Sequence, residues 1–123
     1  MILVDTSIWV DHLRAGNAIL ARLLDDGAVL MHPFVIGELA LGSLRHRDAF
    51  LSDLADLPRA IAADDNEVLR FIEAEALFNC GIGYVDAHLL ASVRLTLDAV
   101  LWTRDTRLAA AAERLSVAAR LTH

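Results

Sequence analysis

The apolar positions of the chain fall into short unbroken runs separated by amphipathic stretches. Ile2-Leu3-Val4 forms the first run, closed by Asp5 and followed by Thr6, Ser7 and a helical pattern. A run without polar alternation predicts a strand buried on both faces, as in a parallel sheet. Thr6 or Ser7 is placed to cap the helix that follows. Asn17 opens a second helix, Ala18 to Asp26, which Gly27 stops. Ala28 to Met31 reads as another short buried strand. Pro33 suits the first turn of a helix over Pro33 to Leu44, because its missing N–H would be unpaired there in any residue. Arg45-His46-Arg47 breaks the apolar pattern, and Asp48 to Leu57 reads as an amphipathic helix ended by Pro58.

Further on, Arg59 to Ala63 forms a weak strand candidate. Asp64 and Glu67 have capping-box spacing and open a helix to about Phe78, with Val68, Leu69, Ile72 and Ala76 inward. Gly81 and Gly83 precede a helix from Tyr84 to about Thr96. Ala99 to Thr103 is a third clear strand, Thr106 to Leu115 a last helix, and Val117 to Leu121 a weak last strand. Strands alternating with helices predict an α/β fold, a central and mainly parallel sheet flanked by helices. No repeat or linker divides the chain, so residues 1–123 read as a single domain.

Four of the 17 acidic residues stand apart by position. Asp5 and Asp105 each lie just past a strand, where open α/β sheets bind ligands. Asp86 shares the i, i+3, i+4, i+7 stripe of Leu89, Leu90 and Val93, and Glu38 shares one with Phe34 and Leu41. Singly, each has an ordinary role as a cap, a surface group or an arginine partner. Jointly they predict a cluster, and an inward carboxylate is costly unless paired or metal-bound. Two carboxylates ~5 Å apart repel by roughly 3 kcal/mol at an effective dielectric near 20. The 11 basic residues are all arginine, so no lysine is present to relieve the repulsion. Oxygen donors without clustered cysteine or histidine favour Mg²⁺, with Mn²⁺ as substitute, over zinc. Such a set suits metal-assisted phosphoryl transfer with water as nucleophile.

The net charge of −6 argues against nucleic-acid binding through a broad basic surface, but not against an acidic pocket loaded with cations. Hydrophobic residues make up 56 % of the chain, more than a small interior absorbs, so an exposed apolar face for a partner is expected. No apolar run is long enough for a membrane span. The one cysteine, Cys80, permits no internal disulfide and suits a reducing cytoplasm. Absent lysine also disfavours a receiver-like phosphoacceptor, and Ser7 stands where an aspartate-nucleophile phosphatase would place its second Asp.

ILVDTSIWVDHLR, VIGELALG around Glu38, YVDAHLLAS around Asp86 and LWTRDTRL around Asp105 resemble, in order and over nearly the full length, the PIN-domain ribonucleases. Among these they are most similar to the VapC toxins of toxin–antitoxin pairs. The resemblance implies a PIN-like fold and Mg²⁺-dependent endonucleolytic cleavage of RNA. It implies Asp5, Glu38, Asp86 and Asp105 as catalytic and metal ligands, with Thr6, Ser7 and Thr103 in support. It further implies a homodimer silenced by a cognate VapB-type antitoxin laid over an apolar groove and the acidic site. Alternatives are a PIN nuclease that processes RNA without an antitoxin, or a catalytically idle acidic interaction module.

Arg104 beside Asp105 is a candidate for holding RNA phosphate. Arg107, Arg45 and Arg47 read as solvated or paired, and Asp11 as solvent-facing. Trp9 and Trp102 read as core, and the five histidines lack ligand spacing.

Overall fold

The computed structural model describes residues 1–121; His123, one of the scattered histidines, lies outside them. Three strands, β1 (Ile2–Val4), β2 (Val29–Leu30) and β3 (Val100–Trp102), form a parallel sheet in the order β2-β1-β3. Ile2 pairs with Val29 and Val100, and Leu3 with Leu30 and Leu101. The first strand is therefore the central one. Leu3 and Val4 are fully buried, as are Leu30 and Leu101 to within a few per cent, which is why these runs show no polar alternation.

Among the described residues seven helices surround the sheet: α1 (Thr6–Ala15), α2 (Ala18–Asp25), α3 (Pro33–Ala40), α4 (Arg47–Ala55), α5 (Asp65–Ala74), α6 (Tyr84–Leu95) and α7 (Thr106–Arg114). The α6 helix is the most enclosed, buried from Ala87 through Val93. The small Ala87 and Ala91 let it approach Val68 on α5 and Ala63 in the segment just before that helix. Asp64 and Glu67 form the expected capping box, each side chain accepting from the other's backbone N–H.

The weak strands at Arg59–Ala63 and Val117–Leu121 are each reduced to a single parallel bridge, Met31 to Arg59 and Leu101 to Ala118. At the first, the chain leaves the sheet edge because the Ile61 N–H donates to the Thr96 hydroxyl instead. The α3 helix stops at Ala40 rather than Leu44. The Arg47 guanidinium takes the free carbonyls of Ala40 and Gly42, a C-terminal cap of the kind basic side chains supply. Arg114 does the same for Glu75 and Ala76, ending α5 before Phe78. Val68 and Ile72 face the interior as expected, joined by Phe71, but Leu69, expected inward, is 54 % exposed, and Ala76, also expected inward, is exposed beyond the end of α5.

Candidate active site at the carboxyl edge of the sheet

Asp5 follows β1 directly, and its backbone N–H still donates to Trp102 on β3. Asp5 itself caps α1, in place of Thr6 or Ser7: its Oδ1 accepts from the Thr6 N–H at 2.8 Å. Oδ2 accepts from the Ser7 hydroxyl at 3.0 Å and the Thr103 hydroxyl at 2.7 Å. The carboxylate is 8 % exposed and locked in one orientation. Its capping role and its place in the acidic site are compatible, because Oδ1 accepts one bond and keeps a lone pair.

Thr103 links the two strand-end aspartates. Its Oγ1 donates to Asp5 and accepts from the Asp105 N–H at 3.0 Å. Asp105 is exposed and caps α7, accepting from the Arg107 and Leu108 N–H groups through Oδ1. Ser7 closes the ring of contacts, since its hydroxyl oxygen accepts from the Arg104 N–H at 3.1 Å.

Asp86 sits on the stripe of Leu89, Leu90 and Val93 as its spacing predicts. It pairs with no arginine; its Oδ2 accepts from the Gly83 N–H at 3.1 Å. Burial holds this carboxyl above the usual carboxylate range. The Gly83 N–H opposes that shift, and the negative charges of Asp5, Asp105 and Glu38 add to it. All three other carboxylates are thus close enough to be felt at Asp86.

Glu38 requires a correction. Phe34, Glu38 and Leu41 lie on the exposed face of α3, with Leu41 90 % exposed, while Val35 and Leu39 form the buried stripe. Glu38 reaches the site from the solvent side, accepting from the Thr6 hydroxyl at 2.8 Å. Among the described residues no three acidic, histidine or cysteine side chains stand close enough to form a ready-made ligand set. The donor set nonetheless fits a divalent cation: oxygen ligands only, one fixed carboxylate with a free lone pair, and a second whose ionisation the surrounding negative charge opposes.

The remaining candidates separate clearly. Arg104 pairs with Asp11, which is not simply solvent-facing. Arg47 caps α3, and Arg107 lies over Gly81, whose added Cβ would fall 2.5 Å from the Arg107 Cδ. Trp9 is core, 2 % exposed, and Trp102 packs against the core from a half-buried position. One network had no sequence signal. Asp65, at the start of α5, accepts from the Tyr84 hydroxyl at 2.7 Å and lies 3.2 Å from His88 Nε2. Residues far apart in the chain meet there, so no local spacing marks it.

A parallel sheet of order β2-β1-β3 with carboxylates gathered at its carboxyl edge agrees with the family that the sequence matches: a PIN domain, over residues 2–114. The chain belongs to the PIN-domain family. More particularly, it is 51 % identical over 118 residues to Ribonuclease VapC32 from two strains of Mycobacterium tuberculosis, covering 96 % of this chain and 95 % of each relative.

Proposed function

We propose that the chain is a divalent-metal-dependent endoribonuclease of the VapC kind, the toxin of a toxin–antitoxin pair. The observation that carries this reading is the hydroxyl-linked acidic edge, in which Thr103 joins Asp5 to Asp105 and Thr6 joins Asp5 to Glu38. These four carboxylates come from four separate elements and share one edge of the sheet. Asp5 is the fixed member, held by Thr6, Ser7 and Thr103, so it needs no reorganisation to receive a cation. Asp105 is tied to it through Thr103 and Glu38 through Thr6, and Asp86 feels the charge of all three. Asp5, Glu38, Asp86 and Asp105 would hold Mg²⁺ or Mn²⁺, which would supply charge neutralisation and lower the pKa of a water molecule. Hydrolysis would join the water oxygen to phosphorus as the bond from phosphorus to the 3′-oxygen breaks, one water proton passing to the 3′-oxygen and the other to solvent, leaving a 3′-hydroxyl and a 5′-phosphate.

The same reading includes an antitoxin of the VapB type. Beside Glu38 lies a groove of about 290 Å³ lined by Val10, Leu13, Leu39 and Leu44 together with Arg14. Val10 and Leu13 are 39 % and 45 % exposed, so an apolar segment laid there would cover them and obstruct the acidic edge. A homodimer working in the cytoplasm completes the proposal. Among the described residues no helix is long and apolar enough to cross a membrane.

The test is cleavage of end-labelled total RNA by purified, antitoxin-free protein, with Mg²⁺, with Mn²⁺ and with EDTA. Asp5→Asn is run in parallel; it retains the cap and removes the charge. Discrete fragments that need metal and vanish in the variant are expected. Equal cleavage by the folded variant, or no cleavage and no metal binding by the wild type, overturns the reading.

A further inference from the structure

A cavity of about 500 Å³ opens beside Asp105, lined by Thr6, Ser7, Val10, Asp11, Arg104 and Asp105. Arg104 is the one cation among its described lining residues. Its backbone is fixed at the end of β3 by the bond from its N–H to Ser7, and its guanidinium is paired with Asp11. Asp11 stands one helical turn beyond Ser7 on α1, so both residues present to the same side of that helix. The Arg104 side chain is 62 % exposed and that of Asp11 29 %. The pair is therefore hydrated and readily exchanged. A phosphodiester presents two anionic non-bridging oxygens to which a guanidinium can donate as it does to the two oxygens of a carboxylate.

We propose that Asp11 occupies, on Arg104, the place of an RNA backbone phosphate, and releases the guanidinium when a strand enters the acidic edge. Arg104 then binds the phosphate adjoining the reacting one, and Asp11 is a positioning residue that regulates access to it. A protein of charge −6 that gathers four carboxylates repels RNA at close range. Keeping the cation of this cavity paired until the strand arrives restricts binding to strands able to displace Asp11. The inference rests on the ribonuclease reading above.

The test is anisotropy of a short fluorescein-labelled single-stranded RNA titrated with purified, antitoxin-free protein in EDTA, over a range of salt. Wild type, Asp11→Asn, Arg104→Ala, Arg104→Lys and the Asp11→Asn/Arg104→Ala double variant are compared, with thermal melts to establish folding. Asp11→Asn is expected to tighten binding up to ~5-fold, the upper range for an exposed ion pair. The salt slope should steepen by about 0.7, one further phosphate neutralised on a single strand. Both changes should vanish in the Arg104→Ala background, and Arg104→Lys should preserve most of the salt slope. Equal tightening in both backgrounds would mean general charge relief and would overturn the proposal, as would no tightening at all. Wild-type RNA cleavage with Mg²⁺ is measured alongside. Cleavage without coupling between the two positions overturns this inference alone. Neither binding nor cleavage removes the ribonuclease reading and this inference with it.

Discussion

Mild acid should destabilise this protein through one histidine. His32 is 1 % exposed and caps α3, its Nδ1 accepting from the Phe34 N–H at 3.0 Å. That bond requires an unprotonated Nδ1, so the neutral ring carries its hydrogen on Nε2, an atom buried without a partner among the described residues. Burial, then the charges of His88 and Arg59, lower its pKa from 6.5 to about 4. The unfolded chain therefore binds a proton near pH 6.5 that the folded chain refuses until near pH 4. Stability contributed by the neutral ring is complete above the unfolded value, falls as the pH drops from 6.5, and levels off below about 4. A gap of 6.5 − 4 = 2.5 decades at ~1.4 kcal/mol each gives a total loss of about 3 kcal/mol. About 2 kcal/mol of this should be lost between pH 7.5 and 5, ahead of most carboxylate titration. The assay is urea unfolding at several pH values across that interval, for wild type and His32→Asn. Asparagine places an acceptor near the Nδ1 position and is among the best capping residues, but does not titrate. The variant starts lower at pH 7.5 because ring packing against Phe34 is lost, yet its stability should change much less with pH. Parallel losses in the two proteins would refute the assignment. Because α3 carries Glu38, the same protonation loosens the helix that brings the fourth carboxylate to the site.

Two further outcomes are expected. Thr103→Val keeps the shape but removes the hydroxyl that both donates to Asp5 and accepts from Asp105. Urea unfolding should register a loss of about 1–2 kcal/mol, and metal affinity by isothermal titration should fall roughly 10- to 100-fold. Asp86→Asn should raise the melting temperature of the metal-free protein. A carboxyl whose folded pKa is raised costs the native state stability once the pH exceeds that pKa, and the amide removes the charge while keeping an acceptor for Gly83. The gain should shrink in Mg²⁺; a variant less stable than wild type in EDTA would contradict the repulsion argument.

Periodicity was most informative where an element has one apolar face. Asp86 could be placed because α6 buries Leu89, Leu90 and Val93 together. Asp5 and Asp105 could be placed because an unbroken apolar run defines where a buried strand ends. Periodicity misplaced Glu38 because α3, Pro-Phe-Val-Ile-Gly-Glu-Leu-Ala, has apolar residues on both faces, and the pattern alone does not say which is inside. The edge strands were overestimated for a different reason. Whether Ile61 pairs with the sheet depends on Thr96, 35 residues away. Long-range polar pairs leave no local trace, so the contact of Asp11 with Arg104, 93 positions apart, was invisible from spacing. The imidazole cap at His32 was likewise hidden, since histidine is not a usual residue at that position.

The central place of β1 has a consequence for biosynthesis. The strand that bears Asp5 is made well before its partner β3, and the hydroxyl of Thr103 follows Asp5 by 98 positions. At cellular elongation rates of ~5–20 residues per second, that is a delay of roughly 5–20 s. Throughout it Asp5 has neither its β3 neighbour nor Asp105, and closing so long a loop is itself slow. The acidic edge therefore takes shape only after β3 and the Thr103 to Asp105 segment have been made, however early its first carboxylate is in place.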